Sequence, residues 1–148
     1  MEKPFVLLAD DNEATCTLIT ALLQGEFVVD VATDGSEAIE KLKKRQYAAI
    51  LVDLLMPVVD GFAVLDYVRD QRPDLLRRVI IVTASLSARQ MKRVREYDVY
   101  AVVAKPFEVD VLQAVVHEAA GGTDAPPFGA PLLSSGVIFL IGELLRRV

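Results

Sequence analysis

The chain has 148 residues, of which 53% are hydrophobic, and a formal net charge of −5. That length suits one domain with a sizeable core, and the balance excludes both a disordered chain and a generally basic nucleic-acid binder. Cys16 is the only cysteine, which excludes an intrachain disulfide and points to a reduced compartment.

In chain order, Met1-Glu2-Lys3-Pro4 leads straight into Phe5-Val6-Leu7-Leu8-Ala9 with no signal-peptide pattern, and this run predicts a strand over 5–9. Leu18, Ile19, Leu22 and Leu23 form one apolar stripe of a helix over 12–24. A strand over 28–32 and a helix over 35–45 follow. Ala48-Ala49-Ile50-Leu51-Val52 predicts a third strand over 48–53, stopped by Pro57 and by the Asp60-Gly61 turn that opens a helix over 61–71. Val79-Ile80-Ile81-Val82 predicts a strand over 79–83, followed by a helix over 87–96. The last pair is a strand over 99–104 and a helix over 108–119, the latter striped with Val111, Leu112, Val115 and Val116.

The central runs are apolar at consecutive positions, the pattern of strands covered on both faces, hence of a parallel sheet. Five β-α units predict an α/β, doubly wound, three-layer sandwich over residues 1–120. Residues 121–131 read as a Gly/Pro-rich linker. Residues 132–148 read as an apolar, helical tail, with Leu133, Val137, Leu140, Leu144 and Val148 at helical spacing and Arg146-Arg147 near its end. No stretch reaches the roughly 20 apolar residues that a bilayer-spanning helix needs.

The strand ends carry the chemistry. Open α/β sheets place ligands at the carboxyl ends of their strands. The first strand ends at Asp10-Asp11, the third at Asp53, the fourth at Thr83-Ala84 and the fifth at Lys105-Pro106-Phe107. Asp53 alone reads as a metal ligand, a base, a nucleophile or a turn former. Asp11 or Asn12 alone reads as a helix cap. Three carboxylates converging on one mouth repel one another, and a hard divalent cation relieves the repulsion.

The ordered set Asp-Asp, Asp, Thr, Lys, with the stretch Asp53-Leu54-Leu55-Met56-Pro57-Val58-Val59-Asp60-Gly61, resembles the receiver domain of two-component response regulators over about residues 4–119. The resemblance implies a flavodoxin-like strand order, 2-1-3-4-5. It implies Asp53 as the acceptor of a phosphoryl group, and Mg²⁺ held by Asp11, Asp53 and the Leu55 carbonyl, with Asp10 acting partly through water. Thr83 is implied as the hydroxyl that bonds the phosphoryl group, Lys105 as its counter-charge, and the Lys105-Pro106 bond as cis. It further implies a sensor histidine kinase or phosphotransfer protein as donor, a downstream protein target, no direct contact with nucleic acid, and a bacterial-type cytoplasm. Catalysis is confined to the chain's own phosphorylation and dephosphorylation. With no output domain recognisable after residue 119, the expectation is a stand-alone receiver.

Several positions depart from the family pattern. Leu55 and Ser85 stand where family members tune dephosphorylation, and Leu55 has no polar atom to orient an attacking water, so slow loss of phosphate is expected. Val102 stands where an aromatic switch residue is usual. Tyr100 is expected on the same strand face, about 6.6 Å further from the pocket. Arg89, Lys92, Arg93 and Arg95 on the fourth helix, with Glu108 and Asp110 on the fifth, read as a solvated face or as a docking or homodimer face. The tail reads as a packed helix, a self-association contact or a loose end. His117, without a second imidazole, reads as a surface residue. An interaction or dimerisation module on the same fold, acting mainly through the C-terminal tail with little phospho-switching, is the competing function. A metal-dependent phosphatase is disfavoured, because Asp53 is followed by Leu54-Leu55 rather than by the second acid of an Asp-x-Asp pair.

Overall fold

The computed structural model describes residues 2–84 and 86–121. Its elements are β1 (Phe5–Ala9), α1 (Glu13–Leu23), β2 (Val28–Ala32), α2 (Gly35–Lys44), β3 (Ala49–Val52), α3 (Gly61–Gln71), a 3₁₀ helix (Pro73–Arg78), β4 (Val79–Thr83), α4 (Ala88–Val94), β5 (Ala101–Ala104) and α5 (Val109–Ala120). All four strand pairings are parallel, and the order is β2-β1-β3-β4-β5. This is the expected doubly wound sheet. The central strands β1, β3 and β4 are buried almost end to end, as their unbroken apolar runs require.

The sheet separates two cores. One holds Leu7, Ile50, Val52, Ile81 and Val102 against Leu42, Phe62, Leu65 and Val94 from α2, α3 and α4. The other holds Val6, Leu8, Leu51, Ile80 and Val103 against Ile19, Leu23, Leu112, Val115 and Val116 from α1 and α5. Alternate strand residues feed alternate cores because side chains of a strand project to opposite faces.

Helix starts follow local side chains. Asn12, Asp34, Asp60 and Ser87 each accept from a backbone N–H three residues on, and Ser87 with Gln90 closes a full capping box. Asn12, and not Asp11, is the cap of α1, which leaves the Asp11 carboxylate free of that duty.

The structure differs from the sequence expectation in three places. The fourth helix is shorter, seven residues, because its last turn tightens at Arg95 and the chain turns through Tyr97. Residues 73–78 form a 3₁₀ helix that begins at Pro73 and buries Leu75 and Leu76. Tyr100 does not share a face with Val102. It packs in the α1/α5 core, whereas Val102 packs in the other. Strand geometry begins only at Ala101, so the period of two does not extend back to Tyr100. The linker and tail expected over 121–131 and 132–148 lie, apart from Gly121, outside the described residues, as does Ser85.

Candidate functional site

Parallel register brings the strand ends to one edge of the sheet. Ala9 lies opposite Val52, and Asp53 N–H continues that ladder by donating to the Ala9 carbonyl at 2.9 Å. Asp10 N–H likewise donates to Ala32 at 3.0 Å. Thr83 lies opposite Ala104, and the next residue, Lys105, donates its N–H to the Thr83 carbonyl at 2.9 Å. Asp10, Asp53, Thr83 and Lys105 are thus set by main-chain bonds rather than by flexible loops.

Their side chains meet. Lys105 Nζ donates to Asp10 Oδ2 at 2.7 Å and to Asp53 Oδ2 at 2.9 Å. Thr83 Oγ1 donates to Asp53 Oδ1 at 3.1 Å, and Leu55 N–H donates to the same oxygen at 3.0 Å. Asp10 Oδ1 is held by Asn12 N–H at 2.8 Å. Asp10 is 1% exposed and Asp53 7%, so both carboxylates have given up most of their water. Burial opposes the charge on Lys105. Its hydrogen bonds and attraction to Asp10 and Asp53 outweigh that cost, and its pKa stands above the ordinary value. The Lys105-Pro106 bond is cis.

Asp11 completes the cup. One carboxylate oxygen from each of Asp10, Asp11 and Asp53 lies within 4.8 Å of the others, with Asp11 exposed at the rim. Three carboxylates facing a single ammonium form an oxygen-only, anionic donor set, which suits a hard cation that keeps several waters. Cys16, beside them, is no ligand candidate. Its thiol donates to the Asp10 carbonyl at 3.3 Å, and burial, then the Asp10 charge, push its pKa up to about 11.

The loop from β3 to α3, whose Pro57 break and Asp60-Gly61 turn are evident in the sequence, shapes the mouth. A Cβ on Gly61 would come within 2.4 Å of the Asp53 carbonyl oxygen, and one on Gly35 within 2.4 Å of the Val59 carbonyl oxygen. The two glycines clamp the loop from either side. In that loop Val58 sits at φ 65°, a left-handed conformation costly for a β-branched residue, and is 89% exposed. Leu55 is also exposed. Of the other singled-out residues, Val102 is buried and His117 is on the surface, 3.0 Å from Glu26.

The family model described as response regulator receiver domain matches residues 6–117. The chain belongs to that family. Among solved structures, this receiver is similar to the receiver domain of Francisella response regulator 1452, with 28% identity and a TM-score of 0.71 over 80% of this chain and 98% of that one. It is equally similar to the receiver domain of the sensor histidine kinase PA1611 from Pseudomonas aeruginosa PAO1, with 28% identity and a TM-score of 0.72 over 81% and 99%. That structure is described as having a magnesium ion coordinated in its active site cleft. Among curated proteins, the transcriptional regulatory protein ZraR of Escherichia coli O157:H7 is 27% identical over 139 residues, 93% of this chain and 31% of that protein. The probable transcriptional regulator ycf29 of Porphyra purpurea is 25% identical over 78% of this chain and 56% of its own length. The receiver therefore spans about a third to a half of these relatives. Among the described residues, no helix is long and apolar enough to cross a membrane.

Proposed function

We propose that this receiver takes a phosphoryl group onto Asp53 from the phosphohistidine of a sensor kinase or phosphotransfer protein. One observation carries the reading. Asp53 is buried at a strand end with Thr83 on one oxygen, Lys105 on the other and two further carboxylates alongside. The Asp53 oxygen forms a bond to phosphorus as the donor's P–N bond breaks and imidazole leaves. Phosphoryl transfer needs mainly positioning and charge neutralisation. Lys105, a point charge on a flexible stem, follows the phosphoryl oxygens. Thr83 is placed to turn its hydroxyl from Asp53 to one of them.

Asp10, Asp11 and Asp53, with the Leu55 carbonyl, are the residues that would hold Mg²⁺. When bound, the ion supplies charge neutralisation for the carboxylates and the incoming phosphoryl oxygens. The output is a changed protein-protein surface near α4, β5 and α5, because Thr83 and Lys105 end the strands that flank α4. The setting is a two-component system in a bacterial-type cytoplasm.

Buried Val102 favours a second reading, an interaction module with weak phospho-switching, because the side chain at that position carries no ring to rotate with Thr83. Intact-mass measurement after incubation with Mg²⁺ and acetyl phosphate separates the two. The first reading expects a gain of one phosphoryl group in the wild type and none in Asp53→Asn. A wild type that gains nothing from acetyl phosphate or a phosphohistidine donor overturns it.

A further inference from the structure

The seam between α1 and α5 runs in a regular register. Gln113 Nε2 donates to the Leu22 carbonyl at 3.0 Å, and His117 Nδ1 lies 3.0 Å from Glu26 Oε2. Both pairs are 91 residues apart. Carried one turn nearer the helix N-termini, the same register sets Leu18 level with Val109. These are two of the few large apolar side chains the fold leaves exposed, at 46% and 39%. Below them Leu22, Leu23, Phe27 and Gln113 line a hollow of about 140 Å³. Glu26 lines the same hollow, and Glu13 and Asp110 are exposed in the first turns of α1 and α5.

We propose that residues 132–148 of this chain dock as an amphipathic segment on the α1–α5 seam, over Leu18, Val109 and the adjoining hollow. Three observations select this occupant. First, the segment carries Leu133, Val137, Leu140, Leu144 and Val148 at helical spacing, a stripe that needs an apolar surface. Second, the tether permits it. The chain leaves α5 at Gly121, and α5 is itself one wall of the seam. The climb back to the level of Val109 is about 18 Å for a 12-residue helix. Residues 122–131 reach roughly 33 Å when extended. Third, charge agrees: the segment holds Arg146 and Arg147 against one acid, Glu143, while α1, α5 and the turn after α1 expose Glu13, Asp110 and Glu26. Tethering also decides between a covering from the same chain and one from a second copy. A tether of ten residues holds the segment at an effective concentration on the order of millimolar, above the working concentration of another copy.

Trypsin digestion of the full chain, followed by mass spectrometry, reads the docking at Arg146 and Arg147. Docked, these sites are protected in the wild type. Leu18→Asn on the seam and Val137→Asn in the segment each speed their cleavage about tenfold, because proteolysis follows the population of the open form. Neither residue belongs to the Asp53 pocket, so phosphoryl uptake stays unchanged. Unchanged cleavage in both variants overturns the proposal. Acceleration by Val137→Asn but not by Leu18→Asn also overturns it, since another surface then covers the segment. Protection that fades on tenfold dilution, with a dimer seen by light scattering, assigns the segment to a second copy and overturns it as well.

Discussion

Tyr97 donates its hydroxyl to Asp66 Oδ1, and this bond ties the turn after α4 to the middle of α3. Around it, Arg69 and Arg93 approach the same carboxylate at 3.4 and 3.8 Å, and the Arg93 guanidinium stacks 4.0 Å from the Phe62 ring centroid. A helix of only seven residues contributes little stability of its own. Its position depends on this latch and on Met91 and Val94 in the core.

Tyr97→Phe keeps the ring and removes the bond. The expected cost is about 1 kcal/mol of global stability, the low side for a hydrogen bond to a charged group because Asp66 is partly exposed. Hydrogen exchange should rise over Ala88–Val94 more than over α1. Burial, then the bond to Asp66, also raise the Tyr97 pKa to about 12 from 10.0. The latch's contribution is therefore whole below pH 10.0 and is lost as pH rises toward 12. Alkaline urea titrations of wild type and Tyr97→Phe should converge across that window.

Asp30 reports the acid limb. Burial works against its charge, but bonds from the Tyr47 hydroxyl at 2.6 Å and Lys41 at 3.0 Å hold its pKa below 3.8. The folded value lies under the unfolded one. The contribution is thus present above pH 3.8 and disappears as pH falls through the folded pKa. Asp30→Asn should flatten the fall of the urea midpoint below pH 3.8, and an unchanged slope would show that other carboxylates govern it.

Lys105→Met leaves the buried carboxylates of Asp10 and Asp53 without their ammonium. In chelator the loss should be about 3 kcal/mol, the scale for removing one partner of a buried ion pair. Mg²⁺ should restore part of it, and should raise the Tm of the wild type as well, with the gain following ligand concentration. Differential scanning calorimetry with and without Mg²⁺ measures both.

Val58→Asn relieves a left-handed backbone that a β-branched side chain resists, and should stabilise by about 1 kcal/mol. Gly61→Ala has the opposite sign. Its Cβ would press on the Asp53 carbonyl, so a loss of about 2 kcal/mol or more is expected, together with slower phosphorylation. Urea denaturation and the acetyl phosphate assay read the two effects separately.

Leu55→Asn puts a polar group at the exposed rim beside Asp53, within reach of a water aimed at the phosphorus. The decay of phosphorylated protein, followed by intact mass, should quicken several-fold. An unaltered half-life removes Leu55 from the control of dephosphorylation.

Much of the sheet was legible in the sequence because unbroken apolar runs such as Ile50-Leu51-Val52 fit only strands covered on both faces. The pocket residues were legible because each ends such a run, and a parallel sheet gathers strand ends at one edge. Other features arise only from tertiary packing. Tyr47, Tyr97 and Tyr100 each donate to a carboxylate, Asp30, Asp66 and Glu118, at sequence separations of 17, 31 and 18 residues. No local pattern announces such pairs. The left-handed backbone at Val58 is equally hidden, because a β-branched residue gives no local signal for a positive φ. Tyr100 was misplaced because the period of two applies only inside the strand.

The main-chain bond from Lys105 to the Thr83 carbonyl makes the hydroxyl and the amine neighbours across a ladder, although 21 positions of chain separate them. Their spacing is owed to the two strands and to nothing in between. Exposed positions of α4, such as Arg89 and Lys92, can thus be exchanged while the hydroxyl and the amine keep their places. Surface exchanges on that helix are therefore the way to alter its outer face without disturbing the pocket.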